Sequence, residues 1–320
     1  AALIWFDMGK RLASDDLSPA AKRKATEEDI EGEEEPQSLI DLLTLPVEKF
    51  SSSKDYEEHF KCHLAPLLLR KLVLVIGDKR HRIREVEFYF TDTMHNDPYT
   101  HCSTIQAATG VWYFHRQGSG YKGGTYKGLD VAIGRGDDKP GGVLIRSIED
   151  LETGDIVCGP CKCVDHILSE LDSPKIAALV EDVLQDDISV DGGKTKKLYL
   201  ELAEEEASSE VAFSGRVGLH LTKKVPVEEQ CDYVFRSYRA FTNGKQIPKG
   251  RNLMVLAQHL EGNSVDAIRA KVGGTERSVL KWTALCDKGM ASGDVSPFVG
   301  KRMSDLQICE CYGVVAAMPK

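Results

Sequence analysis

One short run of residues limits the fold of this chain more than any other feature. In Ile83-Arg-Glu-Val-Glu-Phe-Tyr-Phe90, residue types alternate as expected for a β-strand, whose side chains point to opposite faces with a period of two. Glu85, Glu87 and Tyr89 therefore share one face. Taken alone, these carboxylates fit solvent-exposed strand residues. Near a histidine and an arginine, however, a carboxylate on this face could activate a water, and the tyrosine ring could stack a flat substrate.

The rest of the central region predicts more strands, separated by turn sequences such as Asn96-Asp-Pro98 and Gly118-Ser-Gly120. Residues 39–69 have helical spacing, with Tyr56, Phe60 and Leu64 four residues apart. Helices are also expected just after Gly159-Pro160 and over residues 176–184. This pattern predicts a mixed α/β fold, built on a curved, largely antiparallel sheet with surrounding helices.

Both ends of the chain differ in character from this centre. Residues 1–38 combine Lys22-Arg-Lys24 with a run of acidic residues and few apolar ones, which predicts a disordered acidic tail. Residues 251–320 predict a helical C-terminal extension with segments at 253–260, 264–272, 276–288 and 303–311. Residues 264–282 also have helix-turn-helix form, with Gly273-Gly274 at the turn, although a generic helical hairpin fits the same pattern.

Charge and composition exclude some functional classes. Residues 1–60 carry 15 acidic and 7 basic side chains and so contribute −8 of the net charge of −9, leaving the centre near neutral. No apolar run approaches the roughly 18 residues of a membrane span, so we expect a soluble, intracellular protein with no membrane contact. Cys158, Cys161 and Cys163 suggest zinc, but a second spaced cysteine pair is missing, and we expect no metal and no cofactor.

Several motifs in one order give the sequence a wider resemblance. The motifs are Leu67–Ile76, Arg82–Tyr89, His101, Gly110–His115, Gly128–Gly134, Val143–Ser147, Gly159-Pro-Cys-Lys162, Arg216–Leu219 and Tyr233–Arg239. In this order and spacing, residues 64–245 resemble the alkyladenine (3-methyladenine) DNA glycosylase family, which excises damaged purines from DNA. The resemblance assigns residues 39–250 to a glycosylase-like domain with a protruding β-hairpin, and Arg216–Leu219 and Tyr233–Arg239 to its closing strands.

The resemblance also implies roles for individual residues. Glu87 matches the catalytic glutamate that deprotonates the attacking water, and Arg146 matches the arginine that positions this water. Tyr89, His101 and His115 match positions that hold the flipped base. We therefore expect these side chains and that of Asp130 to line one cleft, with Glu87 and Arg146 within reach of a shared water.

Two departures from the family pattern affect the predicted function. Asp130 stands where the family has an asparagine, and a carboxylate there would favour a purine that presents an amino group or a protonated nitrogen. The glycine-rich segment 116–127 is longer than the family's hairpin. In it, Tyr121 is the expected wedge that fills the gap left by the flipped base, and Lys122 and Lys127 are expected on phosphates, as is Lys162 at a helix start.

The sequence leaves two functions open. The first is a monofunctional DNA N-glycosylase that acts in the nucleus or elsewhere inside the cell, as a monomer, on double-stranded DNA carrying a damaged or modified purine. The second is a non-catalytic nucleic-acid-binding or protein-binding module on a retained glycosylase fold, with the acidic tail and the C-terminal helices as the surface for a protein partner.

Overall fold

One long strand organises the sheet. The computed structural model describes residues 38–319, so the predicted acidic tail lies outside the described residues except for Ser38. The strands are β1 (Leu72–Ile76), β2 (Lys79–Phe90), β3 (Thr109–Phe114), β4 (Arg116–Gln117), β5 (Gly120–Tyr121), β6 (Leu129–Ile133), β7 (Gly141–Asp150), β8 (Ile156–Cys158), β9 (Leu198–Leu202), β10 (Ala212–Ser214) and β11 (Arg239–Phe241). Strand β2 pairs with β7 from Phe90 opposite Gly141 to His81 opposite Asp150, and its other edge holds β1 and β11.

Within the described residues, nine of these strands form one sheet whose pairings are antiparallel. Its main order is β10-β11-β2-β7-β6-β3. In addition, β1 pairs with β2, β9 pairs with β1, and β8 pairs with β7. Strands β4 and β5 form the expected separate hairpin. Apolar side chains of β2 and β7, including Val86, Phe88 and Ile145, are fully or almost fully buried. The predicted mixed α/β fold with a largely antiparallel sheet is confirmed.

The helices cover the sheet and continue beyond it. They are α1 (Leu39–Leu43), α2 (Ser53–His59), α3 (Pro160–Glu170), α4 (Ile176–Ala178), α5 (Val227–Val234), α6 (Arg251–Leu260), α7 (Val265–Val272), α8 (Glu276–Ser292) and α9 (Asp305–Ala316). Three π-helical segments, Phe60–Leu64, Leu67–Lys71 and Leu179–Val183, extend the helical stretches at α2 and α4. Tyr56, Phe60 and Leu64 are buried, as their spacing predicted. None of the described helices has both the length and the apolar character to cross a membrane.

The predicted C-terminal helices form, and they pack into the same unit as the sheet. Residues 38–319 cluster as one compact unit. Leu256 and Val314 belong to the core that also contains the buried side chains of β2 and β7. Helices α8 and α9 approach each other so closely that only glycine fits at two positions. A Cβ atom at Gly289 or at Gly313 would lie 1.9 Å from a carbonyl oxygen of the other helix. Gly273 and Gly274 separate α7 from α8, both with positive φ, as the helical hairpin requires.

Two expected closing strands are wrong. Tyr233 and Val234 end helix α5, which follows Pro226, and only Arg239 of that motif enters a strand. Proline at this point fixes φ for a helix start, and the acidic Glu228 and Glu229 favour the first helical turn. The segment 216–219 is a turn rather than a strand, since Gly218 has φ of +83°. Strand β10, which pairs with β11, ends at Ser214 just before this segment.

Candidate active site

A pocket of about 260 Å³ collects most of the residues predicted to hold a flat substrate. Tyr89 comes from the end of β2, Asp130 from β6, His115 from the residue after β3, and His101 from the loop before it. The antiparallel register sets Asp130 opposite Leu144 of β7 and Tyr113 of β3, which brings these segments together. The lining residues are Tyr89, Tyr99, His101, Gln106, His115, Asp130, Leu144, Gly218, Leu219, His220, Thr222 and Lys223.

Two histidines and a carboxylate meet on one wall of this pocket. The His115 Nε2 atom lies 2.8 Å from Asp130 Oδ1, and Gln106 Nε2 donates a hydrogen bond of 3.0 Å to Asp130 Oδ2. The His101 ring packs edge-on against His115, with centroids 4.5 Å apart. His101 is open to solvent at the mouth. Desolvation of its imidazole by the surrounding protein, together with the neighbouring His115, nevertheless lowers the pKa of His101 to about 4.

Glycines make room for this wall. A Cβ atom at Gly142 would lie 2.7 Å from both Asp130 Oδ2 and Gln106 Nε2. A Cβ atom at Gly128 would lie 2.6 Å from the His115 ring. Either approach is shorter than van der Waals contact, so the backbone of β7 and the start of β6 can come this close only without side chains at these two positions.

Glu87 and Arg146 lie directly behind Tyr89. The Arg146 Nη1 atom donates to Glu87 Oε2 at 3.2 Å, and the Tyr89 hydroxyl donates to the same oxygen at 2.8 Å. The backbone N–H of Val217 donates to Glu87 Oε1 at 2.7 Å. Glu87 is 0% exposed. The predicted cleft is therefore corrected in one respect: Tyr89, His101, His115 and Asp130 line the pocket, whereas Glu87 and Arg146 form a direct ion pair screened from it by Tyr89.

Glu85 holds a second part of this buried charge network. Its Oε1 accepts hydrogen bonds from Arg146 Nε at 2.9 Å and from Arg239 Nε at 2.7 Å. Its Oε2 accepts one from the Ser147 hydroxyl at 2.6 Å. Burial alone would raise the pKa of Glu85, but Arg239 and Arg146 outweigh it and lower this pKa. The shared face predicted for Glu85, Glu87 and Tyr89 is confirmed by their common contacts.

A further ion pair packs against the Tyr89 ring. The guanidinium of Arg216 lies 4.5 Å from the Tyr89 ring centroid and donates to both carboxylate oxygens of Asp97. Burial and the nearby Glu87 carboxylate raise the pKa of Tyr89 well above its ordinary value. Tyr89 therefore remains a neutral hydrogen-bond donor. The three buried carboxylates of this charge network, those of Glu85, Glu87 and Asp97, are therefore each paired with an arginine.

The surface residues predicted to contact DNA behave differently from one another. Tyr121 does not protrude, because its hydroxyl accepts a hydrogen bond from Arg116 and its ring packs on Phe114, so the predicted wedge is corrected. The nearby Tyr126 is 76% exposed, at the end of a short 3₁₀ turn. Lys127 forms an ion pair with Asp165 and Lys162 is exposed near the start of α3. Lys122 follows the hairpin, where its N–H bonds the His115 carbonyl.

The cysteine motif forms no shared centre in the described part of the chain. The Cys158 thiol points to the Gln246 carbonyl, the Cys161 thiol to the Gly124 carbonyl, and the Cys163 thiol to the Val157 carbonyl. Burial raises the pKa of Cys163 well above the ordinary thiol range, which disfavours a thiolate there. The three sulfur atoms therefore interact with different parts of the backbone.

Several site residues could not be recognised from the sequence. Gln106 orients Asp130, Tyr99 and His220 line the pocket, and Arg239 neutralises Glu85. Arg239 belongs to one of the motifs that carry the resemblance, but no pattern indicated its ion pair. Gln106 lies in a short 3₁₀ turn and its position gives no sequence signal.

Comparison with known proteins gives one relative. No model of a known protein family matches the chain, and no solved structure matches it. An uncharacterized protein of Acanthamoeba polyphaga mimivirus, L759, is 32% identical over 191 residues, which is 56% of this chain and 85% of the viral protein. At this identity and coverage, the chain belongs to the same family as the mimivirus protein L759.

Proposed function

We propose that the protein is a monofunctional DNA N-glycosylase, which hydrolyses the N-glycosidic bond of a modified purine flipped out of duplex DNA and leaves an abasic site. One observation carries the proposal. Tyr89, His101, His115 and Asp130 come from four separate segments and meet in one pocket, directly in front of the Glu87–Arg146 pair. These are the residues whose roles the glycosylase resemblance assigns.

The pocket has the side chains that a flipped purine needs. Tyr89, Tyr99 and the two imidazoles offer ring faces and edges, and stacking of a base on an aromatic ring contributes roughly 1–3 kcal/mol. Asp130 accepts hydrogen bonds without donating any, so it favours a base edge that carries an amino group or a protonated nitrogen. Enzymes that act on a base extrude it first, and a concave pocket of this kind is where the base would be held.

Glu87 would supply the base for the attacking water. Its two oxygens have Val217, Tyr89 and Arg146 as partners, and each oxygen has two lone pairs. Since the Tyr89 hydroxyl lies between Glu87 and the pocket, rotation of Tyr89 is the movement that would expose the carboxylate. Water attack at the sugar C1′ would then break the C1′–N bond, whose electron pair leaves with the base, while the water proton passes to Glu87. The negative charge of Glu87 would also favour the oxocarbenium-like sugar.

The exposed side of the pocket offers contacts for a DNA backbone. Lys223 lies at the pocket, its ammonium 5.4 Å from the Tyr99 ring centroid. Lys122 is half-buried after the hairpin, and Lys162 is exposed near the start of α3. Tyr126 projects into solvent two residues before Gly128, which packs against the His115 ring, and we assign to it the filling of the space of a flipped base. Lys127 is a weaker candidate for a phosphate contact, because Asp165 already neutralises it.

One observation favours the second candidate function, a binding module without catalysis. Glu87 is fully buried and each of its oxygens already accepts at least one hydrogen bond, an arrangement that also stabilises a purely structural carboxylate. In that case the pocket would bind a flipped base or a nucleoside without cleaving it.

An excision assay separates the two candidates. Duplexes carrying hypoxanthine, ethenoadenine, 3-methyladenine or 6-methyladenine are incubated with the full chain, and abasic sites are detected by alkaline strand cleavage. We expect excision of at least one base, and a loss of roughly 10²–10⁴-fold in Glu87→Gln, the range for removal of a general base.

The control for this assay is Glu201→Gln, which neutralises a partly exposed strand carboxylate paired with Arg80 and should retain full excision. Binding of a modified duplex with no excision by the wild type would favour the binding module. Equal excision by wild type and Glu87→Gln would refute the catalytic role of Glu87.

A further inference from the structure

Asp130 differs in one respect from the nearby buried carboxylates of Glu85, Glu87 and Asp97. It is 2% exposed, yet among the described residues its ion-pair partner is His115 alone, with no lysine or arginine. Glu85, Glu87 and Asp97 are as deeply buried, and each is neutralised by an arginine. Burying a carboxylate costs free energy unless a cation or a metal ion compensates it. The charge at Asp130 therefore lacks the compensation that its neighbours have.

The atoms around Asp130 are those of a metal centre. Each of His101, His115 and Asp130 offers one ligand atom, and these three atoms lie within 4.8 Å of one another. With bonds of about 2.0–2.2 Å, two ligands of one ion can be at most roughly 4.4 Å apart. The site would close by a small movement of His101, which lies on an exposed loop, while His115 and Asp130 are already 2.8 Å apart.

The surroundings also support a built site rather than a chance cluster. Gln106, itself 1% exposed, donates to Asp130 Oδ2, which leaves Oδ1 facing His115 and orients the carboxylate. Such outer-shell hydrogen bonds are typical of metal ligands. Gly128 and Gly142 leave the space that the two inner ligands occupy. Two imidazoles and one carboxylate leave further coordination positions open, and these would face the pocket.

We propose that His101, His115 and Asp130 bind one divalent transition-metal ion, such as Zn²⁺, at the wall of the pocket. Imidazole with carboxylate suits Zn²⁺, Fe²⁺, Mn²⁺ and Co²⁺ better than Mg²⁺ or Ca²⁺. The ion would place a positive charge beside Asp130 and present an open position to whatever enters the pocket. This inference goes beyond the proposed glycosylase, since it holds for any substrate and changes the expectation, made from the sequence, of a site without metal.

Cobalt(II) is a suitable probe, because its visible d–d bands report on its ligands without any enzymatic activity. The full chain is stripped with a chelator and titrated with Co²⁺. We expect one equivalent to bind, with d–d bands and without the thiolate charge-transfer band that cysteine ligation would give. His101→Ala and Asp130→Asn should weaken binding by more than about 100-fold, and Gln106→Ala by roughly 10–100-fold.

Two controls accompany these variants. His63→Ala removes an exposed histidine, and Cys161→Ser removes a thiol of the cysteine motif; both should bind Co²⁺ as the wild type does. His101→Ala changes an exposed loop residue, so its effect on Co²⁺ binding can be measured even if circular dichroism shows that Asp130→Asn does not fold.

The proposal is overturned if the wild type binds no stoichiometric Co²⁺, if His101→Ala binds as tightly as the wild type, or if a thiolate band appears and Cys161→Ser removes it. Because the readout is metal binding, these results stand whether or not the excision assay detects activity.

Discussion

The buried position of Glu85 makes the cost of removing its charge predictable. Glu85→Gln keeps the size of the side chain but leaves Arg146 and Arg239 facing a neutral amide. Arg146 retains Glu87 at 3.2 Å, whereas Arg239 retains only the carbonyl oxygens of Lys249 and Gly250. Arg239 is 0% exposed, so water cannot replace the lost carboxylate. Removing one partner of a buried ion pair costs about 3–5 kcal/mol, and we expect the free energy of unfolding to fall by this amount.

Urea denaturation followed by circular dichroism measures this change. The matched control is again Glu201→Gln, which breaks the Arg80–Glu201 pair at 3.1 Å between side chains that are 41% and 34% exposed. An exposed pair contributes at most about 1 kcal/mol. Since a domain is stable by only roughly 5–15 kcal/mol, the two variants should differ plainly in urea midpoint. If Glu85→Gln costs no more than Glu201→Gln, the buried network does not stabilise the fold as argued.

Two further outcomes are expected. His95 is fully buried among aromatic rings, and burial with Arg236, opposed by Asp92, lowers its pKa to about 3. The unfolded state, with a histidine pKa near 6.5, therefore binds the proton first, and stability is lost as pH falls below about 6.5. Between pH 7 and pH 5.5 this amounts to about 1.3 kcal/mol. Because other buried histidines such as His101 also have lowered pKa values, urea titrations at the two pH values should show a loss of stability that is smaller in His95→Gln than in the wild type by about this amount. Tyr126→Ala should weaken binding of a lesion-containing duplex at least about fivefold in a fluorescence anisotropy titration, through loss of roughly 1 kcal/mol or more of stacking. Tyr121→Ala, whose ring packs inside the hairpin, is the comparison, and an equal loss in both variants would contradict the assignment of the wedge to Tyr126.

The strands and helices that the sequence predicted well are those whose pattern depends on burial alone. Strand β2 alternates, β7 is an apolar run, and the C-terminal helices have regular apolar spacing, so each could be recognised without its neighbours. The segment 233–239 could not. Its aromatic and β-branched residues favour a strand, but Pro226 and the acidic residues after it start a helix that continues to Val234.

The site shows the same division. The alternation of residues along β2 predicted that Glu85, Glu87 and Tyr89 share one face, and in the structure they belong to one hydrogen-bond network. The alternation of side chains along a strand does not indicate how deeply each one is buried, so it could not show that Tyr89 screens Glu87 from the pocket. It also could not predict Arg239, which is 154 residues away from Glu85 along the chain. Such long-range partners follow from the sheet order β11-β2-β7, which no local pattern specifies.

Glu87 and Asp130 are the two carboxylates on which the proposed chemistry depends, and their surroundings suit different tasks. Glu87 is neutralised by Arg146 and covered by Tyr89, so it can act on a water only after that ring moves. Asp130 lines the pocket and pairs with no arginine in the part of the chain that the structure describes, so it is the carboxylate that would respond most to an incoming cation or amino group. A metal ion at Asp130 and a general base at Glu87 are compatible, because the hydrogen-bond partners of the two carboxylates among the described residues do not overlap. Loss of excision without loss of Co²⁺ in Glu87→Gln, together with loss of Co²⁺ in His101→Ala, would assign the two roles to separate residues.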